Sequence, residues 1–432
     1  MSGAVDKLPQ VADNPFWLGC RCVVCDREYG ARYDGFVCTD CGVDGILDAV
    51  YDYPAIAAAG SVVDPRLKGL WRFAPLLPVR PGSDHPAWTV GDTPVHQAGR
   101  LADHLGLRTL VLKDDTCLPS ASLKDRASAV AVARARQLGV DHLACASTGN
   151  AAASLAVLTA RAGMTCTIFV PAAAPRAKLA QLILHGARVI PVDGTYDQAF
   201  DLSLVEMARH HWYSRNCAHN PLLVEGKKTV ALELASSLTG GFAKNGRDLP
   251  DAVLVPVGDG CIISSVAKAF AELQKTGLIE KIPRVIGVQA AGASPLAQAW
   301  AAAGKGQKEL SGSDILAAIR PVKAATLADS ISVGIPRNRV KAWRNVAASG
   351  GAFLAVPDEA IVEAIGLLAR LAGVFAEPSG AAALAGVLTA LDQDLVTNHE
   401  KVAVLVTGHG LKDPGAGLAN LPLPQAVAPD GG

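Results

Sequence analysis

The chain has 432 residues, half of them apolar, which is more than one small core requires and points to two or three domains. Lysine plus arginine and aspartate plus glutamate both number 40, so the zero net charge offers nothing that would select nucleic acid or an anionic membrane. Only 5% of the residues are aromatic while alanine and glycine are abundant, a composition suited to helices packed closely on a sheet. Residues 1–16 hold Asp6, Asp13 and two prolines with no apolar core, so no secretory signal is expected. No apolar run has the length of a bilayer span, and a soluble, cytoplasmic chain is the expectation. Ten cysteines are unevenly spread, with five of them between Cys20 and Cys41. Without a signal segment a disulfide framework is not expected.

From about residue 105 the text alternates strand and helix. Strands are expected at 108–113, 142–146, 165–170, 187–192, 252–257, 284–289, 353–356 and 402–406. Helices are expected at 124–138, 151–162, 175–185, 196–210, 227–238, 262–275, 295–303, 359–372 and 381–391. The strands are continuous Val/Ile/Leu runs, not alternating ones, which suits parallel strands covered on both faces. The class is therefore α/β. Residues 59–90 read as an irregular proline-rich wrap, and 240–250 and 304–314 as surface loops.

Parallel sheets bind ligands where strands run out into helices, and four such loops are unusual. Leu118-Pro119-Ser120-Ala121-Ser122 leads to Lys124-Asp125-Arg126 at a helix start. Most lysines are solvated surface charges, but one at the positive end of a helix dipole is disfavoured as a cation, which lowers its pKa and suits an amine nucleophile. Ser147, Thr148, Gly149 and Asn150 open the next helix, and their hydroxyls and free amides suit a carboxylate. Gly258, Asp259, Gly260, Cys261 and Ile262 follow a buried strand, where glycines admit a phosphate to a helix end. Asp259 would repel that phosphate unless turned outward. Thr407 ends the last strand before Gly408-His409-Gly410. No Gly-x-Gly-x-x-Gly fingerprint follows the first strand, which argues against a nucleotide-binding fold.

Taken together, these loops resemble the threonine synthase branch of the fold-type II pyridoxal-phosphate (PLP) enzymes, from about Thr93 to Pro414. The resemblance is carried by Ser122-Leu123-Lys124-Asp125-Arg126, Ser147–Asn150, Glu377-Pro378-Ser379-Gly380-Ala381-Ala382 and Thr407–Pro414. It implies two parallel-sheet three-layer units and a small N-terminal zinc-ribbon-like segment. The expected division is 1–54 for that segment, 55–141 with 215–420 for a large cofactor domain, 142–214 for a small mobile domain and 421–432 for a tail. It also implies that Lys124 is the Schiff-base lysine and that Asn150 meets the cofactor's ring hydroxyl. The 258–262 backbone would hold the phosphate, Thr407 would face the pyridine nitrogen, and Ser147, Thr148 and Gly149 would bind the substrate carboxylate. A neutral hydroxyl partner makes the ring a weaker electron sink than a carboxylate partner would, which favours elimination or replacement at the β or γ carbon over transamination. A lyase acting on a small-molecule amino-acid substrate, and a homodimer, are expected. A PLP-binding relative without catalysis is the alternative from another class.

Cys22-Val23-Val24-Cys25 and Cys38-Thr39-Asp40-Cys41 are two Cys-x-x-Cys knuckles, the pattern of a structural zinc ion held by four thiolates. One departure from the resemblance bears on substrate. Before Glu225-Gly226-Lys227-Lys228-Thr229, the Asn-Ser pair and arginine that bind O-phosphohomoserine's phosphate in the family align with Cys217-Ala218 and Leu223. A leucine makes no charge-assisted contact with phosphate. The Arg-x-Gly-Asn-Pro segment is likewise replaced by 330–337, ending in Arg337. The expectation is a substrate other than O-phosphohomoserine, with Lys227, Arg215 or His219 as possible compensation. Threonine synthase proper is the close alternative.

Overall fold

The apolar runs do become parallel strands, and the residues on the two faces of each strand join different cores. The computed structural model describes residues 14–60, 62–80, 89–242, 248–304, 308–418, 426 and 429. Most of the 1–16 stretch on which the signal-segment expectation was read, most of the 421–432 tail, and parts of the three expected linkers lie outside the described residues.

The chain opens with a small antiparallel sheet of β1 (Trp17–Cys22), β2 (Glu28–Gly30), β3 (Val37–Cys38) and β4 (Gly42–Tyr51), in the order β2-β1-β4-β3. The sequence reading assigned no strands here. After the 3₁₀ stretch Gly69–Leu76, β5 (Val95–Gln97) and β6 (Thr109–Asp114) enter the largest sheet. The chain then leaves to build a second sheet from β7 (His142–Ala146), β8 (Thr165–Pro171), β9 (Arg188–Val192) and β10 (Tyr213–Ser214). That sheet is parallel, in the order β10-β7-β8-β9. Finally β11 (Ala252–Pro256), β12 (Arg284–Ala290), β13 (Ala352–Val356) and β14 (Lys401–Val406) complete the six-stranded sheet β13-β12-β11-β14-β6-β5. Every pairing in it is parallel except that of the edge strand β5.

Along β11, Val253 and Val255 face the core formed with helices Lys124–Gln137, Leu222–Leu238 and Cys261–Lys275, whereas Ala252 and Leu254 face the one formed with Asp358–Leu367 and Pro378–Asp392. β14 divides in the same way. Both faces are covered, so neither could afford a polar alternation. Three differences from the sequence reading have local causes. The helix expected at 227 begins at Leu222, because Asn220 Oδ1 accepts the Leu222 amide and starts the turn early. The 304–314 loop gives way to helix Gly312–Ala318, started by a Ser311/Asp314 capping box. The helix expected over 359–372 widens at Leu368–Ala372 into a π turn.

The helix that begins at Lys124 is seated on a buried ionic cluster. Arg126 donates from Nε and Nη2 to Asp115 at 2.7 and 2.8 Å, and from Nη1 and Nη2 to Glu233 at 2.8 Å each. Lys113 Nζ donates to Glu233 at 2.9 Å, and Thr229 Oγ1 accepts from Arg126 at 3.0 Å. All four charged side chains are essentially inaccessible to solvent, and the charges cancel. Gly226 lets the partner helix come flush, since a Cβ there would lie 2.1 Å from the Arg126 carbonyl oxygen. Burial alone would raise the Glu233 pKa, but Arg126 and then Lys113 hold it well below the ordinary carboxylate range. A depressed carboxylate contributes stability above its unfolded pKa and loses it on acidification. Glu233→Ala strands Arg126 and Lys113 with one carboxylate between them, and is expected to cost about 3–5 kcal/mol in urea unfolding at neutral pH. That deficit should shrink as the pH falls below about 4, where Glu233 of the unfolded wild-type chain takes up a proton while the folded one stays ionised.

Candidate active site

Three loops of the large sheet are stitched together by main-chain bonds. The Leu123 amide donates to the Thr407 carbonyl at 2.9 Å, that of His409 to Ala121 at 3.0 Å, and that of Glu377 to Gly408 at 3.0 Å. Isolated bridges join Ser122 to Gly408 and Ala376 to His409. Ala121 accommodates this with φ near 60°, a conformation costly for a residue with a side chain. The small-residue turn before Lys124 is therefore held by its neighbours and delivers the lysine at a fixed point.

Lys124 opens its helix on the floor of a cleft of about 880 Å³ between the two parallel sheets. The Ser147, Thr148, Gly149 and Asn150 loop, the Gly258–Ile262 loop and Thr407 line the same cleft. Burial, then the neighbouring Lys227 and Arg215, lower the Lys124 pKa to about 8 against the opposing pull of Glu377. Arg215 donates to the Lys124 carbonyl at 3.2 Å and to Ser128 Oγ at 2.9 Å.

Asp125 and Arg126, the next two residues of the same motif, turn away from the cleft. Asp125 is buried and accepts the Ser120 amide at 2.6 Å, which closes the turn. Asn150 donates from Nδ2 to Glu377 Oε1 at 2.7 Å and, at 3.4 Å, to Ser330 Oγ.

Helix Cys261–Lys275 begins without a side-chain cap, after Gly260 at φ 83°. Its first amides are therefore available to an anion. Asp259 is indeed turned: its carboxylate accepts the Arg337 amide at 3.2 Å. Asn338 anchors the loop from behind, donating to Ser264 Oγ at 2.6 Å and to the Gly260 carbonyl at 3.3 Å. An uncapped helix end, glycine on its approach and a half-buried amine of lowered pKa fit a phosphorylated aldehyde cofactor.

Leu223 is fully buried in helix Leu222–Leu238 and does not line the cleft, so its place in the alignment removes no charge from the cleft wall. Cys217 and Ala218 do line it. The Cys217 thiol contacts Cys261 and is held well below its usual pKa by that contact first and by Lys227 and Arg215, against burial. The most deeply buried ionised residues of the lining are Arg215, Lys227 and Glu377. Arg337 lies further out, stacked 4.4 Å from the Phe200 ring and paired with Asp197 at 2.9 Å. The sequence reading gave Glu377 and Arg337 no role. Their only signals were a carboxylate at a Pro-started helix and a cation ending a rewritten segment.

The N-terminal thiols form a second cluster, apart from the cleft. The Sγ atoms of Cys22, Cys25, Cys38 and Cys41 all lie within 4.8 Å of one another. Cys22 ends β1 and Cys38 ends β3, and each knuckle turns at its strand end. Tyr29 Oη donates to Cys38 Sγ at 3.2 Å.

Residues 88–408 match the family described as pyridoxal-phosphate dependent enzyme. The chain is 37% identical to the threonine synthase of Methanocaldococcus jannaschii over 92% of this chain and 94% of that one. It is 34% identical to the threonine synthase of Methanosarcina acetivorans, over 91% and 92% of the two chains. Among solved structures, the diaminopropionate ammonia lyase of Escherichia coli superposes with a TM-score of 0.61 at 17% identity, covering 76% of this chain and 87% of that one. This last likeness is one of fold.

A lysine with a pKa near 8 is nucleophilic at lower pH than its exposed counterparts. In cofactor-free protein, borohydride trapping of a small aldehyde at Lys124 should rise to half its maximum near pH 8. Exposed lysines should go on rising towards about 10.4. Peptide mass spectrometry across a pH series reads both.

Proposed function

Because this chain belongs to the pyridoxal-phosphate dependent enzymes, in their threonine synthase-like branch, we propose that its cleft eliminates inorganic phosphate from the β or γ carbon of a phosphorylated amino acid. The protein is a PLP-dependent lyase of threonine synthase type. The observation that carries the substrate reading is the inner part of the cleft wall, where the buried Arg215 and Lys227 stand with Glu377, the half-buried Lys124 and the Cys217 thiol. Arg215 and Lys227 put two basic side chains on that inner end, and a leaving phosphate is stabilised by such an arrangement.

In this reading Lys124 attaches the cofactor, the Gly258–Ile262 amides hold its phosphate, Asn150 meets its ring hydroxyl and Thr407 faces its ring nitrogen. When bound, the cofactor supplies an electron sink that makes the substrate Cα–H acidic. Lys124 Nζ takes the proton from Cα and can return it, since a pKa near 8 matches a proton shuttle working close to neutral pH. Ser147, Thr148 and the amide of Gly149 bind the substrate carboxylate. Arg215 and Lys227 take the charge that develops on the leaving group. Residues 142–214 act as a small domain that closes on 55–141 and 215–420 and excludes water, which hydrogen exchange with and without a substrate analogue would register.

A second reading is favoured by Cys217 and Ala218, which put a thiol and a methyl group on the wall where the resemblance places an amide and a hydroxyl. On that reading the group lost is ammonia or water from a β-substituted amino acid. A panel of O-phosphohomoserine, O-phosphoserine, serine, threonine and 2,3-diaminopropionate separates the two. We expect phosphate release from a phosphorylated member to exceed ammonia release from any of the others by at least about tenfold in kcat/KM, a difference worth one charged hydrogen bond. Lys124→Ala should abolish both turnover and borohydride-trappable cofactor. The reverse ranking would establish the second reading.

The N-terminal segment is proposed to bind one structural zinc ion through Cys22, Cys25, Cys38 and Cys41, with no position open to water. The protein is proposed to work as a homodimer in the cytoplasm; among the described residues, no helix is long and apolar enough to cross a membrane. Metal analysis in reducing buffer should give one zinc per chain. Its removal by chelation should lower the unfolding temperature, while whatever fraction remains folded keeps its kcat.

A further inference from the structure

Glu377 is a buried carboxylate to which the proposed chemistry gives no task of its own, and its surroundings hold it firmly. It lies at the N-cap of helix Pro378–Asp392. Its Oε1 accepts Ser379 Oγ and Asn150 Nδ2, both at 2.7 Å. Gly408 passes so close that a Cβ there would lie 2.3 Å from Oε1, which shuts the third side. The bond to Asn150 also crosses the cleft: Asn150 starts the helix that follows β7 of the four-stranded sheet, whereas Glu377 belongs to the loops stitched around β14.

An ionised carboxylate only accepts hydrogen bonds, so the amide nitrogen of Asn150, not its oxygen, must face it. That leaves one N–H of Asn150 to spare. At present it reaches only Ser330 Oγ, at 3.4 Å, a length at which little energy is at stake. Ser330 and Asn150 both line the cleft, so this N–H can turn to a ligand oxygen without losing a strong bond.

We propose that Glu377 is a positioning residue that fixes the Asn150 amide so that it presents an N–H donor, not a carbonyl, to the oxygen of the bound cofactor's ring hydroxyl. This rests on the assignment of Asn150 to that hydroxyl. Without Glu377 the amide has two nearly equal orientations, and only one of them donates. The bond between them is charge-assisted and buried, so its loss is felt well beyond the average hydrogen bond.

The test uses the whole enzyme and reads pyridoxal-phosphate binding and absorbance, not turnover. Asn150→Ala comes first, and should weaken cofactor binding by about tenfold or more and change the ratio of the near-visible to the near-ultraviolet band. If it changes neither, the assignment of Asn150 falls and this inference with it. Given the Asn150 effect, Glu377→Ala should reproduce the same spectral change, and the double variant should be no worse than either single one. Glu377→Gln keeps an acceptor oxygen facing Asn150 and should restore most of the lost affinity. Should Glu377→Ala not fold, Glu377→Asp withdraws the acceptor by one methylene while keeping the charge, and should show the Asn150→Ala spectrum. Glu377 variants that lower the unfolding temperature but leave the spectrum and cofactor affinity at wild-type values would overturn the proposal, as would strictly additive effects in the double variant.

Discussion

The structure depends on one costly arrangement, the burial of Arg126, Lys113, Asp115 and Glu233 beneath the helix that starts at Lys124. Taking four charges out of water is repaid only when the geometry is close to ideal, and apolar residues of similar volume would often serve stability as well or better. What the ionic cluster adds is direction. Arg126 uses all three guanidinium nitrogens on Asp115, Glu233 and their hydroxyl neighbours, so its backbone has almost no rotational freedom. Lys124 lies two residues upstream and inherits that fixed position. A hydrophobic seat would hold the helix without choosing the angle at which its first residue enters the cleft.

A second charged cluster does the same for the N-terminal sheet. Lys268 donates to Asp48 at 2.6 Å and to Glu225 at 2.8 Å, Lys228 bridges Glu225 and Glu272, and Tyr51 Oη donates to Glu225 at 3.0 Å. Lys341 completes the set by pairing with Asp48. Helix Cys261–Lys275 therefore carries an anion-ready amino end on the cleft and, two turns along, the lysine that grips β4. The cysteine-bearing sheet is thus fastened to the back of the loop proposed to hold phosphate. This gives a segment far from the chemistry a reason to matter for its stability.

The sequence was most legible where burial leaves little choice. The strands β6, β7, β8, β11, β12, β13 and β14 lie in continuous apolar runs because helices cover both their faces, and each was expected within two residues of its actual span. The strands that went unseen, β1 to β5 and β10, are short, antiparallel or at an edge, and none presents a long continuous buried run. The cleft residues were legible as loop motifs at strand exits, since Lys124, the 147–150 and 258–262 loops and Thr407 do converge on one cavity. Leu223 shows where such reading ends. Counting along an alignment assigned it to the cleft wall, but an extra turn at the start of helix Leu222–Leu238 turns it into the core. Linear spacing carries no information about which way a helical residue faces unless the first residue of the helix is known.

The Ser-Leu-Lys-Asp-Arg motif illustrates why a chemical motif is longer than its chemistry. Only Lys124 faces the cleft; Asp125 closes the preceding turn onto Ser120, and Arg126 anchors the helix to the sheet. The lysine is placed where the helix dipole, burial and two further cations all disfavour its charge, and it stays there only because its neighbours in sequence are bound so firmly. A lowered pKa is strain in electrostatic form, and a folded chain retains such strain only if the surrounding contacts leave the residue no alternative position. Ala121 at positive φ is the backbone counterpart, held by main-chain bonds to the Thr407–His409 exit. Read this way, the two flanking residues and the strained turn are the means by which an ordinary lysine is kept reactive near neutral pH.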